Sequence, residues 1–118
     1  MELIFHLALD AHWSEAIESG RSYARSTLGK SLADEGFIHC SLASQVGTIA
    51  DLVYRGRRDL ILLVIDPSLV SVEIRLENTE DGDDLFPHVY GELSLPAVVR
   101  AETVPPKDDG TFDLRGLL

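Results

Sequence analysis

Six consecutive apolar residues, Leu60-Ile61-Leu62-Leu63-Val64-Ile65, constrain this chain more than any other feature. A strand turns alternate side chains to opposite faces, so a strand of this composition needs cover on both faces and belongs inside its sheet. The run is bounded by Asp59 and by Asp66-Pro67, and it is far too short to cross a bilayer. A chain of 118 residues fits one domain that buries roughly two-thirds of its unfolded surface, enough for a core without metal or disulfide staples.

Around that strand the other elements follow from periodicity. Leu3, Phe5, Leu7 and Leu9 alternate with Ile4, His6 and Ala8, which reads as a strand. Asp10 is placed to cap a helix with an apolar stripe of Trp13, Ala16 and Ile17, and Gly20 stops it. Residues 21–30 read as a loop, and Ser31 to Gly36 as one helical turn closed by glycine. Phe37 to Ser41 is a second strand, with Ser41 capping a helix that carries Leu42, Val46, Ile49, Ala50 and Val53 at helical spacing. Val72, Ile74 and Leu76 alternate with Glu73, Arg75 and Glu77 in a half-exposed strand. An acidic loop spans Asn78 to Asp84, His88 to Tyr90 is a short strand, and Leu93 to Ala97 is a helical turn broken by Pro96. Val98 to Val104 is the last strand. The expected fold class is α+β: a small mixed, mainly antiparallel sheet with two main helices. The expected organisation is one domain over 1–118, with a core over about 3–104 and an irregular tail over 105–118.

Twenty acidic residues against ten basic ones give a net charge of −10. Such a surface repels phosphate backbones and anionic headgroups, so neither long nucleic acid nor a membrane is an expected partner; a small molecule or a protein is. The charge also serves solubility. The single cysteine, Cys40, forbids an intrachain disulfide, and Met1 to His6 lacks the basic-then-apolar pattern of a signal peptide, so a cytoplasmic location is expected.

Candidate chemistry rests on histidines. His12 sits beside a helix start, but His6, His39 and His88 lie on apolar strands. An imidazole buried there needs a partner. A hydrogen bond to a backbone carbonyl would suffice for any one of them; three in one small domain point to a shared cleft. Cys40 should face away from His39 by strand alternation and belong to the core. The loop from Asn78 has its glycine one place early for an EF-hand and no closing glutamate, and the phosphate-loop, dinucleotide, nucleophile-elbow and CxxC motifs are all missing.

Taken together, Ile4-Phe5-His6-Leu7-Ala8, Glu35-Gly36-Phe37-Ile38-His39-Cys40-Ser41, the segment Gly56 to Asp66, and Phe86-Pro87-His88-Val89-Tyr90-Gly91 resemble the bacterial domain-of-unknown-function family 952. The layout is also similar to a minimal ADP-ribosyltransferase fold, with RNA 2′-phosphotransferases as characterised relatives: Phe5-His6 and His39-Cys40-Ser41 match their aromatic-His and His-x-Ser strands in order. This resemblance implies a cleft for NAD, in which His6 and Ser41 bind cofactor, His39 lies against the reacting sugar and His88 completes a catalytic pair. Arg75 is the candidate for a pyrophosphate, against the plainer reading of an ion pair with Glu73 or Glu77. The family's late-strand glutamate has no clear counterpart. The extra N-terminal domain of the RNA enzymes has none either, because the His6 strand opens the sequence. Three readings result: an NAD- or ADP-ribose-binding domain of transferase type, a binding or interaction module that has lost the chemistry, and a three-histidine metal site. The last ranks lowest, since the spacing is unlike that of zinc sites, and no metal is expected.

Overall fold

The computed structural model describes residues 2–78 and 82–118. In chain order the elements are β1 (Ile4–Leu9), α1 (Asp10–Ser19), α2 (Leu32–Glu35), β2 (Ile38–His39), α3 (Ala43–Val53), β3 (Leu60–Ile65), β4 (Ile74–Glu77), β5 (Phe86–Val89) and β6 (Val98–Thr103), with 3-10 turns at Pro67–Leu69 and Leu95–Ala97. The α+β reading holds, but the strands form two antiparallel three-stranded sheets, ordered β1-β3-β6 and β2-β5-β4, in place of one.

The apolar run is the central strand of the first sheet, and all six of its side chains are buried. Its register with β1 sorts them by face: Ile61, Leu63 and Ile65 stand opposite Ala8, His6 and Ile4, while Leu60, Leu62 and Val64 stand opposite Leu9, Leu7 and Phe5. The first face packs on Ile38, Val89, Leu93 and Tyr23, the second on Val46, Ala50 and Tyr54. Each buried aliphatic side chain is worth about 2 kcal/mol over its exposed state. Residues 105–118 form no strand or helix, yet Phe112 and Leu114 are buried in the second cluster, and the Phe112 amide donates to Asp51 Oδ1 on α3 at 2.9 Å.

The second sheet is shorter. Ile38 and His39 of β2 stand opposite Val89 and His88 of β5, which stand opposite Ile74 and Arg75 of β4. Its inner face, Ile38, Val89 and Ile74, packs on the first sheet. Beyond His39 the chain changes partners. The Cys40 amide donates to the Pro87 carbonyl at 2.9 Å, and Ser41 exchanges two backbone hydrogen bonds with Phe5 at 2.8 and 2.7 Å, joining the sheets. Ser41 pairs through its backbone and does not cap α3: Leu42 holds the N-cap position, and the Gln45 side chain accepts from the Leu42 amide at 2.9 Å.

Asp10 does not cap α1: it is the first helical residue, Leu9 holds the N-cap position, and no side chain bonds there. The glycine and α2 signals act as their sequence suggests. Gly20 ends α1 with φ 67°. Ser31 and Asp34 close a reciprocal capping box on α2, and Gly36 follows with φ 87°. Gly91 is required for space, because a Cβ there would lie 2.7 Å from Val72 Cγ1. Of the acidic loop expected over Asn78 to Asp84, residues 79–81 lie outside the described residues. Among the described residues no helix is long and apolar enough to cross a membrane.

Candidate functional site

His6 is carried into the core by the alternation of β1 and is 2% exposed. Both of its ring nitrogens are bonded. The His39 carbonyl can only accept, so Nδ1–H donates to it at 2.7 Å, which leaves Nε2 to accept the Tyr23 hydroxyl at 2.9 Å. Burial pushes the His6 pKa down to about 4, partly offset by that carbonyl bond. Burial likewise raises the Tyr23 phenol far above its usual range, so it stays a donor. His6 is a neutral, fully partnered strut that fixes the backbone of β2 from β1.

The outer face of the second sheet gathers the other two imidazoles. His39 and His88 are cross-strand neighbours with ring centroids 5.2 Å apart. His88 is buried beneath Phe37, stacked at 4.0 Å, and its Nδ1–H donates to Glu77 Oε1 at 3.0 Å. The Tyr90 hydroxyl donates to the same oxygen. These two bonds, Tyr90 first, hold the Glu77 carboxyl below its usual range. His39 differs: half-buried and flanked by Phe86 at 5.0 Å, it makes no side-chain hydrogen bond among the described residues. Burial, and then His88, push its pKa down to about 4. A neutral imidazole offers one donor and one acceptor, and His39 has both available.

His39 and Ser41 share the face of Phe5 and Leu7, and with them line an open cleft between β1, β2, α3 and the 21–30 loop. Thr27, Tyr54 and the edge of His6 complete its walls, and the cleft encloses about 500 Å³ including its mouth. The Ser41 hydroxyl makes no hydrogen bond among the described residues. Among the described residues, no carboxylate lines this cleft. The structure thus brings His6, His39 and Ser41 to one cleft, and His88 to the flank of His39 rather than to the cleft wall. Arg75 is on neither: it pairs with Glu73 at 2.9 Å and lies over the Tyr90 ring at 4.3 Å. Cys40 is buried in the core on the opposite face from His39, and burial pushes its thiol far up.

Sequence reasoning missed Glu77, Tyr90, Phe37 and Tyr23. Glu77 shares strand parity with Arg75, and Arg75 stands opposite His88, so the register alone would have placed that carboxylate near the histidine. Tyr23 lies in a loop without periodicity, and its backbone bridge to Leu93, core packing and hydroxyl bond to His6, none of them local in sequence, hold it there.

Comparison with known proteins adds a family and a fold. Protein CC0527 from Caulobacter crescentus, in its crystal structure, is 27% identical with a TM-score of 0.83, covering 96% of this chain and 95% of that one. The solution NMR structure of CC0527 is 28% identical with a TM-score of 0.79, covering 100% and 97%. Among curated proteins none matches. The model of the family described as "Protein of unknown function (DUF952)" matches residues 8–101, most of the chain, and the chain belongs to that family.

Proposed function

We propose that the cleft binds a nucleotide of the NAD or ADP-ribose type, with His39 and Ser41 against its sugar. The observation that carries this reading is the state of His39: a neutral imidazole with both nitrogens unbonded, on a cleft wall beside an unbonded hydroxyl. Such a pair suits ribose hydroxyls, and a neutral imidazole can take up a proton. In transfer chemistry, the bond from the ribose to nicotinamide breaks with its electron pair leaving on nicotinamide. An acceptor oxygen then bonds to the sugar carbon, and its proton passes to His39. His88, held by Glu77 and stacked on Phe37, packs beside His39 and limits its rotation. His6 positions the His39 backbone.

A second reading keeps the binding and drops the chemistry. It is favoured by the cleft wall, whose described residues include no carboxylate to stabilise a positive sugar, while Glu77 is bonded to His88 and Tyr90. The metal reading loses support because His6 spends both nitrogens on protein partners, and the described residues hold no group of three or more His, Cys, Asp or Glu able to take a metal ion.

Thermal unfolding with NAD or ADP-ribose tests the proposal. A ligand that binds the folded state raises the midpoint by mass action. The rise should be lost in His39→Ala and kept in Glu18→Gln on the outer helix. Nicotinamide release abolished by His39→Ala supports the transferase; a midpoint rise without release supports the module. No rise with either ligand at millimolar concentration rejects both.

A further inference from the structure

We infer that the loop end of the cleft is a phosphate-binding subsite built around Arg25. Next to the His39 cleft, and sharing Leu7, Thr27 and Tyr54 with it, is a second recess of about 460 Å³. Arg25, Lys30 and His12 line it, with Ser26 and Gly29, and among the described residues no carboxylate does. In a chain with twice as many acids as lysines and arginines, a recess lined by Arg25 and Lys30, with His12 beside them and no acid among its described lining residues, stands apart from the rest of the surface.

Arg25 is the key residue. Three cationic side chains of the described residues are half-buried: Arg25, Arg57 and Arg100. Arg57 pairs with Asp59 at 2.9 Å and Arg100 with Glu102 at 3.4 Å. Arg25 has no ion pair and no side-chain hydrogen bond among the described residues. With no anion paired to it, the Arg25 guanidinium keeps its planar fork open, and that fork matches phosphate oxygens two at a time. Two acids of the neighbouring α2 are engaged elsewhere: Asp34 caps that helix, and Glu35 reaches Lys30 at 3.7 Å on the surface. Glu15 borders Arg25 from the recess on its other side. The hairpin-like closure of the loop, Ser26 N–H to the Lys30 carbonyl at 2.9 Å and Lys30 N–H to the Thr27 carbonyl at 2.8 Å, fixes Lys30 beside Arg25.

The ligand class is a phosphate ester or diphosphate whose sugar extends past Thr27 and Tyr54 towards His39. That extension rests on the nucleotide reading; the anion subsite does not. It also replaces Arg75, already paired and outside the cleft, as the cation for a pyrophosphate.

Titration of the whole folded protein with inorganic pyrophosphate, followed by amide NMR shifts, tests it. Saturable shifts are expected at His12 and Thr27 to Lys30, weakened at least about tenfold, or about 1.4 kcal/mol, by Arg25→Gln and unchanged by Arg75→Gln. Arg25→Lys keeps the charge without the fork and should bind between the two, which also covers a failure of Arg25→Gln to fold. Shifts at other sites, no saturation up to about 10 mM, or equal binding by Arg25→Gln overturns the subsite. The two proposals part cleanly in the same protein. Pyrophosphate binding without NAD binding keeps the subsite and rejects the nucleotide, whereas NAD binding untouched by Arg25→Gln does the reverse.

Discussion

In sheet β1-β3-β6 the central strand buries six aliphatic side chains; in sheet β2-β5-β4 the central strand buries a proline, a histidine and a valine. The first is covered on both faces and pairs through six register positions with β1, whereas β2 pairs with β5 through two. The first sheet therefore supplies the free energy. The second is held largely by being pinned to it: Ile38 and Val89 through the shared core, Ser41 through Phe5, and the His39 carbonyl through His6. A sheet stabilised from behind can present imidazoles on its free face, because its folding does not depend on what that face carries.

The sharpest way to break this comparison is Leu62→Ala. A methyl left where β3 is fully buried should cost about 3–4 kcal/mol in denaturant unfolding. Leu76→Ala, on exposed β4, should cost well under about 1 kcal/mol. Comparable losses would mean that the second sheet bears load as well.

Acid should act on one histidine from each sheet. His6 and His39 are both depressed to about 4 from 6.5. Between those values the unfolded chain binds protons that the folded one refuses, so stability is full above about 6.5 and falls as pH drops toward 4. The slope approaches about 1.4 kcal/mol per pH unit for each histidine at mid-window. Denaturation midpoints from pH 7 to 4.5 measure it, and His39→Gln should remove about one proton equivalent of the slope. An unchanged slope would show that His39 is not desolvated.

Tyr23→Phe removes the donor to His6 Nε2 and leaves a buried acceptor unpaired, at a cost of about 1–2 kcal/mol by calorimetry. Because His6 holds β2, amide exchange should quicken at His39 and Cys40 more than along β3. A smaller effect than that of Tyr23→Phe is expected from Ser31→Ala, which opens the capping box on α2 for about 1 kcal/mol. Its exchange signature should stay within residues 31–37; spread into β3 would show that the sheets unfold together.

The same contrast explains what the sequence revealed. β1, β3 and β6 are six residues each and carry strong alternation or unbroken apolarity, so they were legible. Strand β2 has two residues, and its partners lie about fifty positions downstream; nothing local separates pairing by Ser41 from capping by Ser41. His39 and the inward turn of Cys40 followed from parity. Glu77 was hidden among alternating charges because its role depends on register with His88. Tyr23, Arg25 and Thr27 were hidden because a loop has no period to read. Phe112 and Leu114 lie in a stretch that looks irregular and is, yet buries two large side chains.

The unbroken apolarity of β3 has a cost during synthesis. One edge of Leu60–Ile65 stays open until Val98–Thr103 has left the ribosome, and Phe112 and Leu114 arrive later still to cover one face. For about forty residues of elongation the nascent chain displays six uncharged, strand-forming residues, the pattern that seeds aggregation. Arg57, Arg58 and Asp59 on one side and Asp66-Pro67 on the other bracket that window with charge and a strand breaker, the placement expected of gatekeepers. Neutralising them would leave the finished fold nearly unchanged and lower the yield of chains that reach it.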